Sequence, residues 1–235
     1  MFSRMLRISW GSIKETKDIY WNNVSTLLHM DGLNNGTIFT DSTGKNSVTV
    51  IGNTKTISSV KQIGNASAYF DGNSTLTMPN SSLFLFGNGN FTIECWVRPA
   101  NNNNYSMYCG IWTTADISYA LRQYGGKFQF VYTVDNYGNN NRQLTGNTSY
   151  SLNTWYHIAV VRNGSTITLY VNGVADGTYN ASTDTLYNGT SQLAIGRATN
   201  NGDASTCYID ELRITKGIAR YTTNFTPQTI EFPNS

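Results

Sequence analysis

Chemistry in this chain would have to come from few residues. Glu94, Asp210 and Glu211 are the carboxylates inside strand-like runs, His29 and His157 are the only histidines, and Cys95, Cys109 and Cys207 are the only thiols. A glycosidase built on packed sheets needs two carboxyl groups a few ångströms apart across a sugar, which along one strand means acidic residues two positions apart. Glu94 has Thr92 and Trp96 at those positions, while Asp210 and Glu211 are adjacent, so their side chains are expected on opposite faces. No Gly-X-Ser-X-Gly elbow marks a serine nucleophile, and no Gly-X-X-X-X-Gly-Lys-Ser/Thr loop marks a nucleotide site. His157 lies in a core-like run and reads as a hydrogen-bonded structural residue. The cysteines lack zinc-ligand spacing and read as reduced, partly buried thiols. No catalytic residues are assigned, and the chain is expected not to be an enzyme.

One carboxylate needs a partner. Tyr208, Asp210, Leu212 and Ile214 share a parity, which puts Asp210 on the otherwise apolar side unless a bulge intervenes. A carboxylate buried there must be paired or ligated. An ion pair with Arg213 or Arg98, capping of loop amides, and a metal all meet that need.

The composition sets the class. Of 235 residues 13% are charged and 13% aromatic, against about 25% charged in an average domain, and Asn, Ser, Thr and Gly make up much of the rest. That balance excludes a coiled coil. The net charge of +2 falls on the first 18 residues, where Arg4, Arg7, Lys14 and Lys17 face only Glu15 and Asp18. No basic face suited to nucleic acid remains. No apolar run approaches the ~18 residues of a membrane helix, and the opening residues lack a signal core, so neither membrane nor secretion is expected. Asn-X-Ser/Thr triplets at Asn65, Asn90 and Asn224 read as composition.

The elements follow from period and turns. Trp155 to Arg162 reads as a strand, Asn163-Gly164 as a type I′ turn, Thr166 to Val171 as the return strand, Asn172-Gly173 as a second turn and Val174 to Tyr179 as a third strand. Tyr119 to Tyr124 and Lys127 to Val134 flank Gly125-Gly126, with Phe128, Phe130 and Tyr132 on one face. Phe91 to Arg98 alternates Phe91, Ile93, Cys95 and Val97 against Thr92, Glu94, Trp96 and Arg98. Leu193 to Ile195 and Tyr208 to Ile214 complete the set, with Asn101 to Asn104 and Tyr137 to Asn141 as loops. Short strands at regular spacing predict an all-β antiparallel two-sheet sandwich. Residues 1–24 differ: Leu6, Ile8 and Trp10 alternate with Arg7 and Ser9, as in a partner-binding arm, a first strand or a frayed tail. The body is expected over 25–235.

Several stretches together carry a resemblance. Ser25-Thr26-Leu27-Leu28-His29-Met30-Asp31-Gly32, Phe39-Thr40-Asp41-Ser42-Thr43-Gly44, Ala68-Tyr69-Phe70-Asp71-Gly72, Phe91 to Val97, Trp155 to Arg162 and Tyr208-Ile209-Asp210-Glu211-Leu212-Arg213-Ile214 to Tyr221 occur in that order. The chain resembles the laminin-G-like or concanavalin-A-like jelly-roll domains common in bacteriophage structural proteins. The resemblance implies a jelly roll of lectin type and speaks weakly to activity. It also implies a calcium site for some members, with the Asp of the early turn, here Asp41, and the Asp of the late strand, here Asp210, as oxygen ligands.

Two functions are in view. A phage virion protein made in the host cytoplasm, acting as a capsid cement or decoration protein, would hold the major capsid protein or other virion proteins through Phe2, Leu6, Ile8 and Trp10, and form homo-oligomers. Absence of heptads, β-helix repeats or a collagen-like stretch argues against a fibre shaft. The alternative is a carbohydrate-binding tail fibre or baseplate module. Trp112, Tyr105, Tyr108, Tyr137 and Tyr187, read as loop residues beside Asn and Thr, offer the flat faces and amides a glycan needs. Spacing alone assigns no carbohydrate-binding residue among them.

Overall fold

The computed structural model describes residues 17–136, 140–198, 204 and 206–235. Phe2, Leu6, Ile8, Trp10 and Tyr137 lie outside the described residues. Fifteen strands are described. In the first half of the chain they are β1 (Val24–Leu28), β2 (Thr49–Ile51), β3 (Lys55–Ile57), β4 (Ser67–Asp71), β5 (Thr75–Met78), β6 (Phe91–Pro99), β7 (Met107–Trp112) and β8 (Ile117–Tyr124). The rest are β9 (Lys127–Thr133), β10 (Asn141–Ser149), β11 (Tyr156–Asn163), β12 (Thr166–Val171), β13 (Val174–Asn180), β14 (Leu193–Ile195) and β15 (Thr206–Lys216).

These strands form the expected jelly-roll sandwich of two antiparallel sheets. One sheet runs β13-β12-β11-β6-β15-β4-β3, with β1 also on β15; the other runs β10-β9-β8-β7-β14-β5-β2. Between them lies the core, where Phe91, Ile93, Cys95 and Val97 meet Phe128, Phe130, Tyr132, Ile158, Val160, Ile167 and Leu169. The alternation in the sequence thus reports the inner face of each strand. Cys95, Cys109 and Cys207 are buried in this core and form no disulfide.

The turns differ in one case. Asn172-Gly173 and Gly125-Gly126 each have positive φ at both central residues, as type I′ requires. At the other hairpin Asn163 pairs with Thr166, so the turn is Gly164-Ser165 and only Gly164 has positive φ. The expected Asn163-Gly164 type I′ turn is therefore replaced by one with Gly first, the type II′ pattern, because the ladder extends one residue further. Seven strands escaped sequence reading, β1 to β5, β7 and β10. β7 lies beside an Asn-rich loop, and β10 is polar apart from Leu144, with only Leu144 and Gly146 buried along it.

β15 organises the first sheet. Its first half pairs with β4, its second half with β1, and β6 runs along its whole other side. On β6, Trp96 opposes Asp210 and Glu94 opposes Arg213, so Glu211 and Leu212 share the space opposite Cys95. Glu211 has φ of 49° at this bulge. The extra residue reverses parity. Cys207 and Ile209 face the core before the bulge, and Leu212 and Ile214 after it. Asp210 therefore does not share a face with Leu212 and Ile214, contrary to the simple alternation.

The same register brings charge together on the outer face. Arg213 donates to Glu94 Oε1 from Nε (3.0 Å) and Nη2 (2.8 Å), and Tyr221 donates to Glu94 Oε2 at 2.7 Å. Asp18 accepts from Arg213 Nη1 (3.1 Å) and Arg220 Nη2 (2.6 Å). Burial would push the Glu94 carboxyl up, but Arg213, His157 and Arg220 reverse this and hold it far below the usual range. His157 is buried, its Nε2 3.4 Å from Glu94 Oε2, and its ring sits edge-on to Trp96 and Phe225. Neither ring nitrogen makes a hydrogen bond among the described residues. Its described contacts are packing against Trp96 and Phe225 and proximity to Glu94, not the expected hydrogen bond.

The chain ends close over this face. Ala219, Tyr221 and Phe225 pack on Ala159, Val161 and Tyr170, while Phe232 and Trp21 pack on Val24 and Leu27. Gly173 is required here, because a Cβ would run into the Phe225 carbonyl oxygen. Asp18 N–H donates to Ser235 O at 2.5 Å, so residues 18–24 lie against the body. His29 bonds Glu211 Oε1 through Nδ1 (2.6 Å) and Asn234 Oδ1 through Nε2 (2.8 Å). Burial opposes the His29 cation, but Glu211 and Asn234 outweigh it and push its pKa up to about 9.

Two outcomes follow from these contacts. Glu94→Gln leaves Arg213 buried without its counter-charge and is expected to lower unfolding free energy by about 3–5 kcal/mol in a urea titration; a loss under about 1 kcal/mol would show that the pair carries little. For His29, a folded pKa of about 9 above an ordinary 6.5 gives stabilisation complete below pH 6.5 and lost as pH rises through 9. The melting temperature should fall across that window, and His29→Gln should flatten the fall; an unchanged slope in the variant places its cause elsewhere.

Candidate functional site

With the eight-stranded sheet covered at β1, β11 and β12 by the chain ends, the outer face of the seven-stranded sheet is the place to look. Across β7, β8, β9 and β10 it carries a polar row. Arg122 lies 5.3 Å from the Trp112 ring and 4.8 Å from the Tyr105 ring, and its Nε donates to Gln129 Oε1 at 2.8 Å. Gln129 donates to Thr145 Oγ1 at 2.7 Å. Met107, Ala120, Val131, Ala194 and Ala198 pack with Trp112 around this row.

Beside it lies a cleft of about 440 Å³, lined by Ile51, Asn73, Thr75, Thr113, Thr190, Ser191, Gln192, Arg197 and Ala198. Its walls are fixed by groups tied into backbone. The Thr113–Asp116 turn closes with Thr113 N–H on Asp116 O at 3.0 Å. Asp116 Oδ2 then accepts from Thr190 N–H (2.7 Å) and Ser191 N–H, and Asn80 donates to Gly189 O and Ser191 O at 3.0 Å each. Thr75 Oγ1 donates to Ile195 O at 2.9 Å and lies 3.2 Å from Arg197 O. Gly196, at φ 87°, turns the chain out of β14 where a Cβ would strike the Phe70 ring. The side chains of Asn73, Ser191 and Gln192 are left to face the cleft without hydrogen bonds among the described residues. No carboxylate lines it.

Most sequence-expected sugar residues lie elsewhere. Tyr108 is a buried β7 residue that donates to Gln123 Oε1 at 2.6 Å, and Trp112 ends β7 with 7% exposure. Both belong to strands because β7 begins earlier than the Asn-rich stretch suggests. Tyr187 is half-buried. Tyr105 is the exception, 42% exposed and 4.9 Å from the exposed Tyr124 ring. Arg197 escaped the sequence reading; its only signal was a charge placed just after a short strand and a glycine.

The two expected calcium ligands, Asp41 and Asp210, each accept hydrogen bonds from their own surroundings. Asp41 Oδ1 accepts from Leu27 N–H (3.0 Å) and Thr43 N–H (3.2 Å), and Oδ2 from Thr43 Oγ1, Asn46 N–H and Asn46 Nδ2. It is the keystone of its own turn. Asp210 Oδ2 instead accepts from Gln62 and Ile63 N–H, at 2.9 and 3.0 Å. Burial pushes Asp210 up to about 7 against those two amides, with Glu211 and Asp31 adding to the rise. Among the described residues no group of three His, Cys, Asp or Glu could hold a metal. Loop-amide capping occupies Asp210 Oδ2, while its Oδ1 is buried without a hydrogen bond among the described residues.

Known proteins resemble the fold. The binding domain of Paraclostridial Mosquitocidal Protein 1 matches with a TM-score of 0.69 and 16% identity, over 86% of this chain and 50% of that one. The receptor binding domain of botulinum neurotoxin D matches at 0.64 and 15%, over 85% and 51%. The binding domain of botulinum neurotoxin DC in complex with SialylT matches at 0.62 and 14%, over 85% and 49%. The chain thus spans about half the length of these structures, and the likeness is one of fold. They are toxin binding domains, so the phage setting implied by the sequence finds no counterpart among them. No curated protein matches the chain by sequence. The family model described as the concanavalin A-like lectin/glucanases superfamily (Laminin G 3) matches residues 70–219, more than half of the chain, which therefore belongs to that family.

Proposed function

We propose that this chain is a non-catalytic carbohydrate-binding module whose glycan lies in the cleft on the seven-stranded sheet. The observation that carries the reading is the division of labour in its lining. Thr75, Thr113 and Thr190 are spent on backbone and Asp116, while Asn73, Ser191, Gln192 and Arg197 remain available beside Ile51 and Ala198. Amide and hydroxyl groups around a small apolar floor suit sugar hydroxyls and ring faces. Gly196 N–H donates to Tyr108 O, so Arg197 emerges at the end of the sheet where Tyr105 and Tyr124 stand exposed; a longer glycan could stack there.

Hydrolysis is not part of the reading, since a glycosidase needs two carboxyl groups at the scissile bond and the cleft lining has none. The binding domain of botulinum neurotoxin DC, of which this chain covers 49%, forms a complex with SialylT. Attachment to a capsid through Phe2, Leu6, Ile8 and Trp10 is a separate reading that no described residue favours, and the cleft does not depend on it.

A glycan array followed by calorimetry on the full chain tests the proposal. Saturable binding is expected, with Asn73→Ala and Gln192→Ala each weakening it about three- to ten-fold, the worth of one hydrogen bond, at unchanged melting temperature. Chelator is expected to leave the affinity unchanged. No binding to any glycan, or variants that bind like the parent, would overturn the cleft assignment.

A further inference from the structure

The arginines buried in this fold are otherwise provided for. Arg162 donates to the carbonyl oxygens of Gly87, Gly164, Ala181 and Asp184, Arg213 to Glu94 and Asp18, and Arg220 to Asp18. Arg142 is paired with Asp184. Arg197 is different. It is the one formal charge among the described residues lining the cleft. Its Nη1 reaches Asn73 O at a long 3.4 Å, and its Nε is buried without an acceptor.

Guanidinium geometry turns this into a ligand preference. A guanidinium donates in parallel pairs along its edges, spaced to meet both oxygens of a carboxylate. Here Nη1 is turned to Asn73 O. Nε is sealed from solvent, so a ligand meets the guanidinium through the side that lines the cleft. A neutral sugar hydroxyl supplies one oxygen and no charge. A carboxylate supplies two oxygens and a counter-charge in a partly enclosed site, where such bonds are strongest.

We propose that the cleft takes an acidic saccharide, with a sugar carboxylate paired with the Arg197 guanidinium, the one formal charge among the described lining residues, while Asn73, Ser191 and Gln192 read neighbouring hydroxyls. This rests on the glycan reading of the same cleft and adds the class of sugar. Arg197 is the specificity-determining residue, and Ile51 and Ala198 contribute apolar contact beside it.

The test uses the full chain and oligosaccharides ending in glucuronate or sialate, their carboxyl-reduced neutral forms, and sulfated forms of the same cores. Wild-type protein should bind at least one carboxylate form ten-fold or more tighter than its reduced form, with an affinity that falls as salt rises. Arg197→Gln should erase that difference while keeping the neutral form's weak binding, and Arg197→Lys should recover only part of it, because an ammonium cannot form the paired bonds. Melting temperatures of the variants check that the fold is intact. Equal binding of carboxylate and reduced forms, or a preference that survives Arg197→Gln, overturns the acidic-sugar inference and leaves the glycan reading standing. Sulfated forms binding as tightly as carboxylates overturn the carboxylate assignment. Failure of every oligosaccharide, neutral ones included, removes the glycan reading and this inference with it.

Discussion

The Glu94–Arg213 pair is the constraint on which much of this structure turns. Both side chains are buried on the outer side of a sheet, where desolvating two charges is costly unless they are paired and hydrogen-bonded on every side. Here that condition is met by direct register across β6 and β15, by Tyr221, Asp18 and Arg220, and by His157 beside the carboxylate. Such a network exists only if the residues around 18 and the segment beyond 217 are in place. It therefore couples the two ends of the described chain to the middle of the sheet.

That coupling has a functional consequence. Tyr221, Phe225 and Phe232 cover the outer face of the eight-stranded sheet at β1, β11 and β12 and take that part of it away from any ligand. The bulge at Glu211 serves the same end: it lets Ile209 and Leu212 both reach the core while Asp210 caps the loop amides of Gln62 and Ile63. The proposed binding cleft is on the seven-stranded sheet. There the cleft is shaped by short polar connections, with Asp116 gathering the amides of Thr190 and Ser191 and Asn80 holding their carbonyls. A site whose walls are already bonded loses little freedom when it meets a ligand.

A concanavalin A-like fold is compatible with binding and with hydrolysis, and the family's description includes both lectins and glucanases. What separates them is local chemistry. Around this cleft Asp116 Oδ2 is spent on the 190–191 loop and Asp71 on the Asn73 backbone amide. Among the described residues that line the cleft, the one formal charge is a cation, Arg197.

Local pattern was enough for much of the fold. Alternation along Phe91 to Val97 and Phe128 to Tyr132 fixed which side chains face inward, and Asn172-Gly173 and Gly125-Gly126 fixed two hairpins, because strand period and positive φ are properties of neighbouring residues. The family, too, could be read from ordered stretches of residues. The bulge at Glu211, the occupation of Asp41 by its own turn and the strand position of Trp112 could not, since each depends on what another part of the chain places opposite. The cleft is the extreme case. Its lining comes from β2, the turn before β5, the end of β7 and both ends of β14, which are distant in sequence and adjacent only because β14 pairs with β5 on one side and β7 on the other. Sequence alone determined the sandwich and its inward faces; tertiary structure decided which residues meet at the cleft and set Arg197 as the one charge among its described lining, because long-range register sets both.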